Sequence, residues 1–248
     1  MFAPFQWPHF LDEFAKQAAE QGFVSEVILN TEDGPLMAWE RKGKDGAPLI
    51  YLSAGIHGDE PAGPLATLEL MKTGAFSEDA HWLICPAINP GGLALGTREN
   101  RQGHDLNRDY FRHETLEVAA HARWLSRDRV PDVFVSLHED WESEGFYFYE
   151  INLGEDEPDR ADSLLSSVAP YFKAELGPEI DGHDIREPGW IYHCAEADLP
   201  DEWPEAIFLA KQGCSLSFTF ETPSKALLEK RVSAHAACFR VLMNQIEF

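Results

Sequence analysis

Apolar and polar positions alternate along this chain in two rhythms. Short runs read as strands at Phe23–Leu29, Leu36–Arg41 and Pro48–Ala54. Asp33-Gly34-Pro35 separates the first two, and such turn-forming residues predict a hairpin. The third run, LIYLSA, lacks alternation, the pattern of a strand covered on both faces. Trp82–Ile88 and Asp132–Leu137 (DVFVSL) read the same way, Phe146–Ile151 makes a shorter strand, and Ser215–Phe220 alternates. Helical spacing covers residues 9–21, ended by Gly22, then Pro61–Met71, Glu114–Ser126, Asp162–Leu176 and Ser224–Met243. Pro61 suits a first helical position and Ser224 suits a cap. Strands alternating with helices predict an α/β fold, a three-layer α/β/α sandwich with a mixed, mainly parallel sheet. We expect a single domain over residues 1–248.

The polar residues that follow the buried runs carry the functional signal. In open α/β sheets ligands bind beyond the carboxyl ends of the strands. LIYLSA runs into Gly55-Ile56-His57-Gly58-Asp59-Glu60, and DVFVSL runs into His138. The strand at Ser215–Phe220 runs into Glu221. Trp82–Ile88 opens a polar loop, residues 89–113, rich in Asn, Gly and Arg; loops of that length inside a domain are usually functional. A single histidine at a strand end is ordinarily a hydrogen-bonded residue, and a single glutamate an ordinary solvated or helix-start acid. Several falling at neighbouring strand ends together changes the weight. Two histidines and one carboxylate suffice to hold catalytic zinc, with a fourth position for water. His57 and Glu60 lie close enough in the chain to share an ion, His138 would arrive from a neighbouring strand, and Glu221 would take a proton from metal-activated water.

Composition narrows the alternatives. The 248 residues contain 43 acids against 20 Lys and Arg, a formal net charge of −23, which disfavours a phosphate-binding face and anionic membranes. The 44% hydrophobic and 12% aromatic content is enough for a sizeable core. No apolar run approaches the length of a membrane span, and the first ten residues show no secretory pattern. The four cysteines are scattered, with no Cys-x-x-Cys pair, which disfavours a disulfide scaffold or thiolate zinc site and leads us to expect a cytoplasmic protein. Residues 139–159 hold nine acids and no base; they form a solvated face, or a field attracting basic substrates.

The motifs resemble those of the zinc metallocarboxypeptidases. Gly55-Ile56-His57-Gly58-Asp59-Glu60 is similar to their Gly-x-His-Gly-x-Glu zinc motif. Asn89-Pro90-Gly91-Gly92, Gly96-Thr97-Arg98 and Gly103-His104-Asp105-Leu106-Asn107-Arg108 resemble their substrate-binding loop, Ser136-Leu137-His138 the third-ligand strand, and Phe218-Thr219-Phe220-Glu221 the strand bearing the general base. The order matches and spans residues 55–221. The resemblance implies one Zn²⁺ held by His57, Glu60 and His138, with Glu221 as base and then acid. It implies Arg98 as the residue stabilising the oxyanion, with Arg101 competing for that role. Asn107 and Arg108 would grip a substrate carboxylate, Arg108 by a bidentate fork. Tyr192, alone between Tyr171 and Glu221, is the candidate for the tyrosine that covers the substrate terminus.

The implied activity is hydrolysis of a peptide or amide bond beside a free carboxylate, on a peptide or acylated amino acid. The near neighbour is the succinylglutamate desuccinylase/aspartoacylase group of small-molecule deacylases. The Gly before Asp105-Leu106-Asn107-Arg108 favours the first reading, as do the mere 27 residues after Glu221, room for one helix but not for a further β-domain. The short gap between Glu60 and His138 points the other way. A catalytically silent binding module on the same fold would not need Glu221. Gly91 departs from the family's usual Asp, and His104 from a usually apolar position. The specificity pocket is expected within residues 177–214, with His193 lining it if any further histidine does, and Trp190 and Trp203 covering the core.

Overall fold

The computed structural model describes residues 5–127 and 129–246. The first four residues, part of the stretch read for a leader, lie outside it. Its centre is an eight-stranded mixed sheet in the order β1-β2-β4-β3-β5-β10-β6-β9. These are β1 (Val24–Thr31), β2 (Gly34–Arg41), β3 (Leu49–Ala54), β4 (His81–Cys85), β5 (Val133–Asp140), β6 (Tyr147–Asn152), β9 (Trp190–Tyr192) and β10 (Leu216–Pro223). The four central strands β4, β3, β5 and β10 are mutually parallel, the expected β1–β2 hairpin is antiparallel, and β6 returns antiparallel beside β10. A separate two-stranded hairpin joins β7 (Glu179–Ile180) to β8 (His183–Asp184).

Helices cover both faces. One face packs α1 (Trp7–Glu20), α2 (Ala62–Lys72), α5 (Pro158–Val168) and α7 (Leu228–Gln245) over Ile50, Leu52, Val135, Phe218 and Phe220. The other carries α4 (Leu116–Leu125) and α6 (Glu205–Gln212) over Tyr51 and Phe134. This is the expected three-layer sandwich. None of the described helices is long and apolar enough to cross a membrane.

Several boundaries differ from the sequence reading, for local reasons. The polar stretch 89–113 contains α3 (Pro90–Leu95), started by Asn89, whose Oδ1 accepts from Gly92 N at 2.8 Å, with Pro90 at the first position. The C-terminal helix begins at Leu228, because β10 continues to Pro223 and Ser224 N donates to Asp140 O; Ser224 therefore does not cap it. α5 starts at Pro158 and stops at Val168, since residues 173–175 are drawn off to bond the backbone of Phe146. The irregular segment yields β9 and, at its end, α6.

The sheet's pleat decides what faces where. Successive side chains on a strand alternate between faces. Ile50, Leu52, Val135, Leu137, Phe218 and Phe220 point into the larger core. Ser136 and His138 on β5, Ser217, Thr219 and Glu221 on β10, and Tyr147, Tyr149 and Ile151 on β6 face the opposite way, around a cavity. The register sets Glu221 beside His138 on one side and Tyr147 on the other.

Candidate active site

The chain from β2 onward crosses to opposite sides of β3 on leaving β3 and on leaving β4, so β4 and β5 flank β3. That crossover is a topological switch point, where ligand crevices form in open α/β sheets. A cavity of about 420 Å³ opens there. His57, Glu60, Arg98, Asn107, Arg108, His138 and Glu221 all border it.

Two close backbone approaches shape the loop that carries His57. Gly55 has a left-handed φ of +64°, and a Cβ there would press on Ala87 and Leu93. A Cβ on Gly58 would sit 1.8 Å from the carbonyl carbon of Gly92. Only glycine fits this contact between the His57 loop and the first turn of α3. Asn89 sews the two together: its backbone N–H donates to Gly55 O at 2.9 Å and its Nδ2 to Ile56 O at 3.2 Å.

His57, Glu60 and His138 are all buried. The Nδ1 atoms of both histidines face the Glu60 carboxylate, at 2.6 Å for His57 and 3.0 Å for His138. The three sets of ligand atoms lie within 4.8 Å of one another. Asp105 approaches the other nitrogen of His57, Nε2, at 3.2 Å. A carboxylate behind a histidine fixes its tautomer and turns its other nitrogen toward a metal. Two imidazoles and a carboxylate suit Zn²⁺ and similar borderline ions, so the donor set fits a divalent transition metal.

The electrostatics agree with that chemistry. Burial opposes charge on Glu60, yet the two imidazoles hold its carboxyl well below the usual range. Burial lowers His138, against the pull of Glu60. Burial would lower His57 too, but Glu60 and Asp105 together raise it. Glu221 is pushed up, first by burial and then by the negative charge of Glu60. A cation among the three would offset that repulsion.

Arg98 stretches between Asp105, at 3.0 Å, and Glu60, at 3.5 Å, and its guanidinium reaches the cavity. Arg101 turns away and pairs with Glu32 and Asp33. Gly91 leaves room for that pair: a Cβ there would meet both Arg101 and Asp33 at 3.3 Å. Asn107 Oδ1 accepts from Glu205 N at 2.9 Å, at the start of α6. Arg108 is exposed at the rim, bonded to Asn107 O. His104 is exposed and does not border the cavity.

Tyr192 does not join this group. On β9, Trp190 and Tyr192 point toward the larger core, and only Ile191 between them packs on the cavity side, against Tyr147. The Tyr192 ring lies under Arg186 and its hydroxyl reaches Asn152 O. The cavity tyrosines are Tyr147 and Tyr149, from β6. Their signal was the alternation FYFYE at residues 146–150, which sets every second side chain on one face.

Glu205, the first residue of α6, is a feature that sequence reasoning missed. It is buried at the cavity floor, where its carboxylate accepts from Tyr51 OH at 2.8 Å and Ser53 OH at 2.7 Å. Burial raises its pKa to about 7, although those hydroxyls pull it down. A carboxyl raised on folding stabilises fully below its unfolded pKa, near 4.5, and that contribution is lost as pH rises through about 7. We therefore expect Glu205→Gln to gain stability relative to the wild type between pH 5 and pH 8, by about 2–3 kcal/mol. Urea unfolding of both proteins at the two pH values checks this; a constant difference would contradict it.

Comparisons with known proteins agree with this arrangement. Residues 47–136 match the Succinylglutamate desuccinylase/Aspartoacylase catalytic domain. Murein peptide amidase A of Escherichia coli (strain K12) is 32% identical over 100 residues, which cover 36% of this chain and 41% of that protein. Carboxypeptidase SOL1 of Arabidopsis thaliana is 25% identical over 115 residues, 40% of this chain and 23% of that protein. The chain thus spans well under half the length of these curated relatives in the aligned parts. Likeness over the full fold is greater: the crystal structure of a candidate metallopeptidase from Shewanella amazonensis superposes with a TM-score of 0.84 at 25% identity, covering 98% of this chain and 94% of that one.

Proposed function

We propose that the chain, which resembles metallocarboxypeptidases and the succinylglutamate desuccinylase/aspartoacylase group, is a zinc-dependent hydrolase of an amide bond beside a free carboxylate. The observation that carries this reading is the meeting of His57, Glu60 and His138 within 4.8 Å at one cavity that Glu221 and Arg98 also border.

In this reading those three residues hold one ion, which when bound acts as a Lewis acid on water and on the substrate carbonyl. Glu221 accepts a proton from the attacking water as the C–O bond forms, and returns it to the amine nitrogen as the C–N bond then breaks. Arg98 donates to the carbonyl oxygen as negative charge grows there. Asn107, whose Oδ1 is engaged by Glu205 N, keeps its Nδ2 donors for the substrate carboxylate, and Arg108 closes on the same group from the rim.

Among the described residues, ten acidic side chains line the cavity against only Arg98 and Arg108 of the arginines and lysines, which favours a substrate carrying an amino group as well as its carboxylate. A purely anionic N-acyl amino acid is disfavoured by the same field. The match to the deacylase catalytic domain nonetheless supports a second reading, a small-molecule N-acyl amino acid deacylase. The deciding assay sets murein-type peptides and acyl-peptides with free carboxyl ends beside N-succinylglutamate and N-acetylaspartate. We expect turnover of the peptides; turnover of the latter pair alone would reverse the ranking. On the active substrate, Arg98→Ala is expected to lower kcat by about 10²–10³-fold, while Arg101→Ala leaves it unchanged. The opposite pattern would exchange their roles.

A further inference from the structure

A second group of metal-type donors borders the same cavity, apart from the first. His183, His193 and Asp198 offer ligand atoms that lie within 4.8 Å of one another. They come from three separate pieces of chain. His183 opens β8, directly after the Asp181-Gly182 turn, whose two positive φ values (49° and 75°) fix a tight hairpin. His193 follows β9, its backbone N–H held by Glu150 O at 2.8 Å. Asp198 lies in the loop that leads to α6.

The hydrogen bonding of this cluster is incomplete in a specific way. His193 Nδ1 is buried and has no partner among the described residues. That nitrogen is therefore available to a ligand. His183 Nε2 and Asp198 Oδ2 stand 3.5 Å apart, too long for a good hydrogen bond. Two ligands about 2.0–2.1 Å from a tetrahedral ion stand roughly 3.3 Å from each other, close to that separation. The two imidazole rings meet at 5.0 Å and 70°, each edge-on to Tyr149, so packing already sets their directions.

We propose that His183, His193 and Asp198 form a second binding site for a divalent transition-metal ion of the Zn²⁺ class. Two strand spacings, roughly 10 Å of sheet, separate β5, which bears His138, from β6, which bears Tyr149. This is too far for the two sites to clamp one reacting bond, since paired catalytic metals stand about 3.5–4 Å apart. The ion instead ties the β7–β8 hairpin, the end of β9 and the approach to α6 into one wall of the cavity.

The test is metal stoichiometry of the full chain, stripped with a chelator and dialysed against buffered micromolar Zn²⁺. Three proteins are compared: wild type, His183→Ala/His193→Ala and His57→Ala/His138→Ala. We expect two equivalents in the first and one in each variant. A wild type holding one equivalent that is lost only with His57 and His138 would overturn the second site. So would two equivalents retained by the His183/His193 variant. A single equivalent lost only with His183 and His193 would uphold the second site and refute the catalytic one. In the His57/His138 background, Zn²⁺ should also slow tryptic cleavage after Arg186; an unchanged rate would count against the tie.

Discussion

Glu221→Gln is expected to lower kcat by about 10²–10⁴-fold, the usual contribution of a positioned general base, while leaving bound metal unchanged. The amide keeps the shape of the side chain and removes the proton acceptor. The site gives the reason for so large an effect. Glu221 stands beside His138 in the parallel β5–β10 register, on the strand face that borders the cavity, so it is fixed by backbone pairing on both sides. Measuring kcat together with metal content separates the possible causes. If activity fell because metal was lost, the role assigned to Glu221 would be wrong. If activity persisted with metal bound, another residue would have to be the base.

The second large effect concerns stability. Arg231→Met is expected to lower the unfolding free energy by about 3–5 kcal/mol, because it strands a buried carboxylate. Glu139 is wholly buried, accepts from Ala62 N at the start of α2 at 2.7 Å, and pairs with Arg231 on α7. Its own backbone N–H holds Glu60 Oε2 at 3.1 Å, so the ion pair also braces the ligand carboxylate. Burial lifts the pKa of Glu139 to about 7 even with Arg231 beside it. Denaturant unfolding measures the loss. Adding Glu139→Gln to Arg231→Met should restore part of it, and full additivity of the two substitutions would show that the pair is uncoupled.

Much of the site was legible in the sequence for one physical reason. Strands buried on both faces must be apolar throughout, so LIYLSA and DVFVSL stand out and their ends can be located. The polar residues after them then fall at one edge of the sheet, which brings His57, Glu60 and His138 together. What stayed hidden depended on the direction of side chains within short elements. Tyr192 was near the right place in the chain, but β9 has three residues and a shift of one decides the face. Glu205 was lost because α6 is only eight residues long, though Pro204 before it and Gly213 after it, at φ +106°, mark its ends. Arg98 and Arg101 differ by three residues in a loop without periodicity, and what separates them is Asp33, a partner from the distant hairpin.

The backbone contact between Gly58 and Gly92 has a consequence for how such an enzyme can diversify. Not even one added methyl group fits between Gly58 and Gly92, so the loops bearing His57 and Arg98 are held together as a unit. Half of residues 179–204 opposite are exposed, and few strand pairs join them to the scaffold. Under the proposed function, selectivity can therefore shift on that bank while the loops bearing His57 and Arg98 keep their places.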